Sequence, residues 1–285
     1  MHNLTDLVGA QVGPGSQPAD FDGSKLEYMV MPSGMMTFSA AHVPEADDAR
    51  AHAAGLAAVE SLLGLLERAA EGGEPGRVDL SALSAEDLAF VDQLLGEGEV
   101  SVLAGDRAQA QESVLAGVWR VRHYDAQGAR CGDFAEVGEF PRDLANGAFA
   151  SAAMAPRLPE SAGHNVFNAP SLLVEIADKC ADAGVPGMPP HVINLSLLPH
   201  TEDDLAFLDA ALGKGELVIL SRGYGNCRIQ ATGTCNTWWV RYYNSQDTLI
   251  LNSIELSAIP SVALAAPTDI ADSAERLAEI LEAYK

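Results

Sequence analysis

The chain repeats part of its own sequence. Residues 83–103 read LSAEDLAFVDQLLGEGEVSVL, and residues 200–220 read HTEDDLAFLDAALGKGELVIL, 117 positions later. The similarity continues at an offset of 119, where WRVRHYD from Trp119 matches WWVRYYN from Trp238. A repeat of ~60 residues predicts two modules with a common architecture. Positions at which the two copies differ are therefore the first places to look for function.

Each copy predicts the same order of elements. A helix is expected over 46–71 and again over 168–183, each followed by a short strand and then by the repeated helix. That helix begins at Ser84 or Thr201 with an S/T-x-x-D start signal. The strands that follow are joined by short loops, which favour antiparallel meanders. We therefore expect an α+β fold of two repeated modules, each with helices packed on a small antiparallel sheet, plus a C-terminal helix over 268–284.

The predicted boundaries follow from the repeat. An N-terminal extension rich in Gly, Pro and Ser covers 1–45, with an extended strand near 28–31. The first module covers 46–155 and the second 164–285, with a linker between them. Alternation along the second tryptophan-bearing strand places Trp238 and Val240 on one face, and Trp239 and Arg241 on the other.

Charge and composition limit the partners and the compartment. The formal net charge is −23, which disfavours nucleic acid and anionic membrane surfaces as partners. No run of ~18 apolar residues predicts a transmembrane helix, and no basic, apolar signal peptide is visible at the start. Four cysteines without a C-x-x-C pair fit a reducing compartment. We therefore expect a cytoplasmic protein without membrane insertion.

The sequence carries no recognisable catalytic motif. It lacks G-x-S-x-G, a Walker loop and H-E-x-x-H, and its seven histidines show no metal-ligand spacing. This pattern favours a binding protein that is not an enzyme and that needs no cofactor.

The two copies differ most at residues 221–229, which read SRGYGNCRI. The first copy has AGDRAQA there, without the Gly-x-Gly or the Cys-Arg pair. The glycines would allow close approach of another chain, and arginines offer forked donors for carboxylates. We expect this segment to lie on an accessible sheet edge where a partner strand adds. A glycine-rich hairpin turn would give the same pattern without a partner. The candidate partner-binding residues are Arg222, Tyr224, Asn226, Cys227 and Arg228.

Two cysteines offer an alternative kind of site. Cys227 and Cys235 lie eight residues apart, and neighbouring strands could bring their thiols together. Two thiolates alone are a poor zinc site, because zinc takes four ligands. The alternative is therefore an iron–sulfur or metal delivery protein that uses these two residues, against buried thiols without a metal.

Several strings resemble one family in one order. They are RGYGNCRI, WWVRYYNS, TLILNSIEL and IPSVALAAPTDI, preceded by APSLLVEI and VINLSLLP. In these the chain resembles the HupH/HyaF/HoxQ-type hydrogenase expression/formation proteins over nearly its whole length. The resemblance implies an accessory chaperone in the maturation of uptake-type nickel–iron hydrogenase. It also implies partners: the iron–sulfur small subunit precursor, bound before export, and other maturation accessory proteins.

Overall fold

The computed structural model describes residues 43–159, 161–185, 187–223 and 225–285, all within one compact unit of the chain. Most of the predicted N-terminal extension over 1–45 therefore lies outside the described residues, as does the strand predicted near 28–31. No helix in the described ranges is both long and apolar enough to cross a membrane.

Ten strands of the described residues form one antiparallel sheet. In space they follow the order β1-β5-β4-β3-β2-β7-β8-β9-β10-β6, so each strand of the first five has a counterpart equally far from the β2–β7 junction. The bounds are β1 Gly76–Asp79, β2 Val100–Ala104, β3 Ala108–Glu112, β4 Val118–Tyr124, β5 Arg130–Val137, β6 His191–Asn194, β7 Leu217–Ser221, β8 Asn226–Ala231, β9 Thr237–Tyr243 and β10 Leu249–Leu256.

The prediction of a separate small sheet in each module was wrong. β2 and β7 pair along their full length, from Val100 opposite Ser221 to Ala104 opposite Leu217. Each of these strands would otherwise be the exposed edge of a five-stranded half-sheet. Their pairing satisfies the backbone groups of both edges. The α+β class holds, but the strands of the two halves form a single sheet.

Seven α-helices lie in the described residues. The helix predicted over 46–71 is interrupted at His52, whose φ of −114° and ψ of 57° are not helical. The ring of His52 stacks on Phe90, with 5.4 Å between the ring centroids. The helices are α1 Ala46–Ala51, α2 Ala53–Ala70, α3 Ala85–Leu95, α4 Arg142–Gly147, α5 Ala169–Lys179, α6 Glu202–Leu212 and α7 Pro267–Ala283.

The two faces of the sheet are covered differently. On the face we call the helix face, α2, α3 and α7 pack over β1, β4 and β5, and α5 and α6 pack over β6, β9 and β10. The opposite face, which we call the junction face, carries an apolar cluster that crosses from β2 to β7. Its members include Val102, Trp119, Ile219 and Trp238. The junction between the halves is therefore part of the core.

The two tryptophans predicted to be equivalent have matching surroundings. Trp119 and Trp238 are fully buried, and each indole N–H donates to a backbone carbonyl at 3.0 Å. The acceptors, Gly138 and Ser257, are again 119 residues apart. Val91 of α3 and its counterpart Leu208 of α6 are also buried, whereas Leu88 and its counterpart Leu205 are only half-buried.

The C-terminal helix packs on the first half of the sheet. Leu277 and Leu281 of α7 belong to the same apolar cluster as Leu62 of α2. The hydroxyl of Tyr284 donates to the backbone oxygen of Pro44 at 2.9 Å. The last helix of the chain thus completes the core around the first five strands, although chain order places it after the second copy.

A buried aspartate joins the beginnings of α5 and α6. Asp204 Oδ1 accepts the backbone N–H groups of Phe167, Asn168 and Ala169 at 2.8–3.0 Å, and Oδ2 accepts that of Thr201 at 3.0 Å. The Thr201 hydroxyl accepts the N–H of Asp204 in return, which completes the predicted start signal as a capping box. Burial by itself would raise the pKa of Asp204, but the backbone donors outweigh it and lower the pKa to about 2.

Replacing Asp204 should therefore destabilise the fold strongly. Asp204→Ala leaves four backbone N–H groups without their carboxylate, and we expect a loss of about 3 kcal/mol in the free energy of unfolding. Asp87, the counterpart in the first copy, accepts one backbone N–H from α2, that of Gly55 at 3.2 Å. Asp87→Ala should cost about 1 kcal/mol. Urea denaturation measures both, and equal losses would contradict this account.

A second buried carboxyl should make stability depend on pH. Glu112 is 8% exposed, and burial raises its pKa to about 7, with the carboxylates of Glu99 and Asp269 adding to the rise. A raised pKa stabilises the protonated fold below pH ~4.5, and that stability is lost as pH rises through about 7. Between pH 5 and 8, wild type should lose about 3 kcal/mol more than Glu112→Gln in urea titrations. If the free energy of unfolding of the two proteins changed equally between pH 5 and 8, the prediction would be refuted.

Candidate functional site

The predicted partner-binding residues do not share one face. Arg222 follows β7 and is half-exposed, and its backbone N–H donates to the Glu99 carbonyl at 3.1 Å. Arg228 lies on the helix face of β8. Cys227 is fully buried in the junction-face cluster. Asn226 is half-exposed, and Tyr224 lies outside the described residues.

The prediction that this segment lies at a sheet edge was wrong. β8 pairs with β7 on one side and with β9 on the other. Both of its backbone ladders are therefore occupied, and a partner strand has no place to add there. The glycines instead shape the turn before β8. Gly225 has a φ of +98°, and a side chain on Gly223 would clash with the carboxylate of Glu99.

The two cysteines of the alternative site are apart. Cys227 belongs to the cluster on the junction face, whereas Cys235 belongs to the cluster under α5 and α6 on the helix face. The prediction that their thiols approach each other was therefore wrong. Cys235 instead lies beside Cys180, and both thiols donate to the carbonyl of Met154, at 3.4 and 3.2 Å. Burial raises the pKa of Cys227 to about 12 and that of Cys180 to about 11, which keeps both in the thiol form at neutral pH.

In the first half, the helix face of the tryptophan-bearing strand carries a closed charge network. Arg120 is 4% exposed, and it donates to Asp92 and to Asp133 at 2.5 Å each. Arg122, two residues along the strand, donates to the other oxygen of Asp92 at 2.8 Å. Asp92 belongs to α3, so these bonds fix that helix over β4. Each arginine therefore has a carboxylate partner.

In the second half, the same positions hold a neutral pair. Trp239 replaces Arg120 and Asn252 replaces Asp133, and the indole N–H of Trp239 donates to Asn252 Oδ1 at 2.6 Å. Asp209 and Arg241 stand where the first copy has the bonded pair Asp92 and Arg122. In the second half, however, no hydrogen bond or ion pair joins Arg241 to Asp209 or to any other described residue. The Arg241 guanidinium instead lies 4.6 Å above the Trp239 ring centroid. Burial lowers the pKa of Arg241.

Arg241 faces a second arginine across the β8–β9 ladder. Arg228 is its direct partner in register, and both side chains project from the helix face of the sheet. The Arg228 guanidinium lies 4.3 Å from the Tyr243 ring centroid and binds Asp247 at 2.9 Å. Like charges directly opposite each other in a sheet are unfavourable unless an anion lies near them. We call Arg228 and Arg241 the arginine pair.

The surface around the arginine pair is half-exposed. Leu103 and Val218 face each other across the β2–β7 ladder on the helix face, and neither belongs to the apolar clusters of the described residues. Gln230 adds an amide next to Trp239 in register. Apolar, amide and guanidinium groups together suit a polypeptide that carries carboxylates, because arginine binds carboxylate through forked hydrogen bonds.

The sequence identifies Arg228 as a candidate, but it does not single out Arg241, because Arg122 stands at the same position of the first copy. The missed signal was the change from Arg120 to Trp239 two residues earlier, which exchanges a charge network for a stacked ring. In the first copy, Gln109 stands at the position of Arg228 and donates to the Tyr124 hydroxyl at 2.7 Å.

Comparison with known proteins gives full-length similarities. A family model described as HupH hydrogenase expression protein, C-terminal conserved region, matches residues 53–158 and again residues 166–284. The hydrogenase expression/formation protein HupH of Rhodobacter capsulatus is 44% identical over 96% of both chains. HoxQ of Cupriavidus necator is 41% identical over 95% of both. The hydrogenase-1 operon protein HyaF of Escherichia coli is 34% identical over 95% of this chain and 94% of its own.

One solved structure is also similar in part. It is the hydrogenase expression protein HupH from Thiobacillus denitrificans, with 30% identity and a TM-score of 0.36. The match covers 40% of this chain and 93% of that one.

Proposed function

Because the chain belongs to the HupH hydrogenase expression protein family, we propose that it is a non-catalytic accessory chaperone in the maturation of uptake-type nickel–iron hydrogenase. In this proposal it acts in the cytoplasm and binds the iron–sulfur small subunit precursor before export. The observation that carries the proposal is the similarity to hydrogenase expression/formation proteins along nearly the entire chain. Other maturation accessory proteins are proposed as further partners.

We also propose that the chain arose by duplication, with modules at 46–155 and 164–285. Two matches to one family model support this, as do the equivalent strand positions on either side of the β2–β7 junction. The matching tryptophan environments support it further. A duplicated sheet would give one half freedom to acquire a binding surface while the other half maintains the shared core.

The proposed binding surface is the helix face of β8 and β9, together with the turn before β8. The arginine pair would bind carboxylates of the partner, and Trp239 and Tyr243 would hold the guanidinium planes in place. Of the residues predicted from sequence, Arg222 and Asn226 would contribute from the β7–β8 turn. Tyr224 stays in the proposal as an apolar contact with a polar tip, and Cys227 would support the strand from the buried side.

The partner can be tested by co-purification. Tagged protein isolated at modest salt from cells that express the hydrogenase operon should retain the small subunit precursor. Repeating the co-purification with a precursor that lacks its export signal shows whether the protein recognises the signal or the rest of the subunit. Recovery of no hydrogenase subunit by the wild-type protein would refute the proposed function.

The binding surface can be tested by removing the arginine pair. Arg228→Gln with Arg241→Gln should weaken capture of the precursor roughly tenfold or more, because two charged donors to carboxylates are lost. Removal of like charges opposite each other should leave the melting temperature nearly unchanged.

The matched control for the arginine pair is Arg107→Ala. Arg107 is an exposed arginine in the turn before β3, where it pairs with Glu216, and it stands at the Asn226 position of the repeat. Its removal should have little effect on capture. Wild-type capture by the double variant, or unfolding of that variant, would place the binding site elsewhere.

A further inference from the structure

The two outer strands of the sheet differ in how they are protected. Among the described strands, β1 pairs only with β5, and β6 pairs only with β10. The unpaired backbone groups of an edge strand are a template for another strand, and proteins commonly block them with charge. β1 has such a charge. The Arg77 guanidinium lies 4.5 Å from the Phe134 ring centroid and binds Asp143 of α4 at 2.9 Å.

At the corresponding positions, β6 exposes apolar side chains. Val192 stands where the first copy has Arg77, and it is 52% exposed. Leu197 follows β6 where the first copy has Ala82, and it is 80% exposed. Ile250 on the adjacent strand β10 is 61% exposed. The second half therefore lacks the protection of the first and gains apolar surface at its edge.

Hydrogen bonds hold the turn after β6 and the start of α5 close to the end of that strand. The N–H of Asn252 donates to Ser196 Oγ at 2.8 Å and holds the 3-10 turn Leu195–Leu197 against β10. The side chain of Asn168 donates to the Pro199 carbonyl at 2.5 Å, which brings the start of α5 to the same place. Phe167 precedes α5 and is 66% exposed. We call these four exposed residues the β6 patch: Val192 lies on the junction face of the edge strand, and Phe167, Leu197 and Ile250 lie around the end of that strand.

Carboxylates border the β6 patch. Glu175 and Asp178 are three residues apart on α5 and form one row along the helix, and exposed Asp182 follows in the turn after it. The row runs beside the edge strand, because Glu175 Oε1 lies 2.7 Å from His191 Nε2 at the start of β6. Glu202 and Asp203 are exposed at the start of α6, near Phe167. Lys179 offsets part of this charge, as a partner of Asp178 at 2.9 Å.

From these observations we infer that β6 is a docking edge for an extended segment of a partner protein. The segment adds as an eleventh strand, places apolar side chains on the β6 patch and directs lysine or arginine at the acidic border. The inference deepens the proposed function by naming a second contact site and the chemistry of the segment that it takes. The partner's identity rests on the proposed function; the edge itself does not.

The edge can be probed with defined peptides on the full chain. The peptide KVTVKVTVK offers alternating valines with a basic charge, and EVTVEVTVE is its acidic counterpart. The basic peptide should slow hydrogen exchange of the β6 amides and bind at least tenfold more tightly than the acidic one. The same basic peptide with alternate backbone nitrogens methylated should lose this binding, because it cannot form the ladder. Equal binding of the methylated peptide, or protection away from β6, would overturn the inference.

A matched pair of variants tests the residues. Val192→Arg with Leu197→Ala gives β6 the residues of the first copy. It should weaken binding of the basic peptide at least tenfold without lowering the melting temperature, since both side chains are exposed. The reciprocal change at β1, Arg77→Val with Ala82→Leu, should leave binding at β6 unchanged. Wild-type affinity in the β6 variant would overturn the inference.

Capture of the small subunit precursor separates the two proposals. If the wild-type protein captures the precursor and the β6 variant captures as much, the docking edge is overturned and the proposed function stands. If the wild-type protein captures no precursor but the basic peptide protects β6, the docking edge stands and the proposed function fails. If the β6 variant binds neither the precursor nor the basic peptide, both the docking edge and the proposed function are supported.

Discussion

The pairing of β2 with β7 is the constraint on which the rest of this structure depends. It joins two five-stranded halves into one sheet and lets the apolar cluster of the junction face continue from Val102 to Ile219. Contacts at both ends secure the ladder. The Gly105 N–H donates to the Glu216 carbonyl, and the Arg222 N–H donates to that of Glu99. Because both inner edges are used in this pairing, only β1 and β6 remain as edges among the described strands.

The two halves of this shared sheet differ in how their surfaces are covered. The first half is closed: α7 returns to cover it, Arg120 is enclosed between Asp92 and Asp133, and Arg77 protects its edge. In the second half, the counterpart positions carry Trp239 and Val192, and these changes leave an arginine pair and an apolar edge. The neutral hydrogen-bonded pair of Trp239 and Asn252 replaces a buried charge network, and Arg241 lies over the Trp239 ring instead of in an ion pair.

Much of the architecture could be predicted from local pattern. The S/T-x-x-D signals at Ser84 and Thr201, the alternation at Trp238 and Trp239, and the order of helix and strands all depend on contacts within a few residues of each other. The α+β class followed from them. The candidate site could be predicted only in part. The divergent segment was found, and Arg228 was in it, but its place in the sheet and its pairing with Arg241 depend on residues far apart in sequence.

The sequence by itself therefore determined which segments form helices and strands, which face of each strand is apolar, and to which family the chain is similar, because these are properties of residue order and spacing. Only the tertiary structure decided that β8 is an interior strand, that Cys227 and Cys235 lie on opposite faces, and that α7 covers the first half. The physical reason is the β2–β7 ladder. A pairing between two apolar strands more than a hundred residues apart has no local signature, yet it decides which strands are left at the edges.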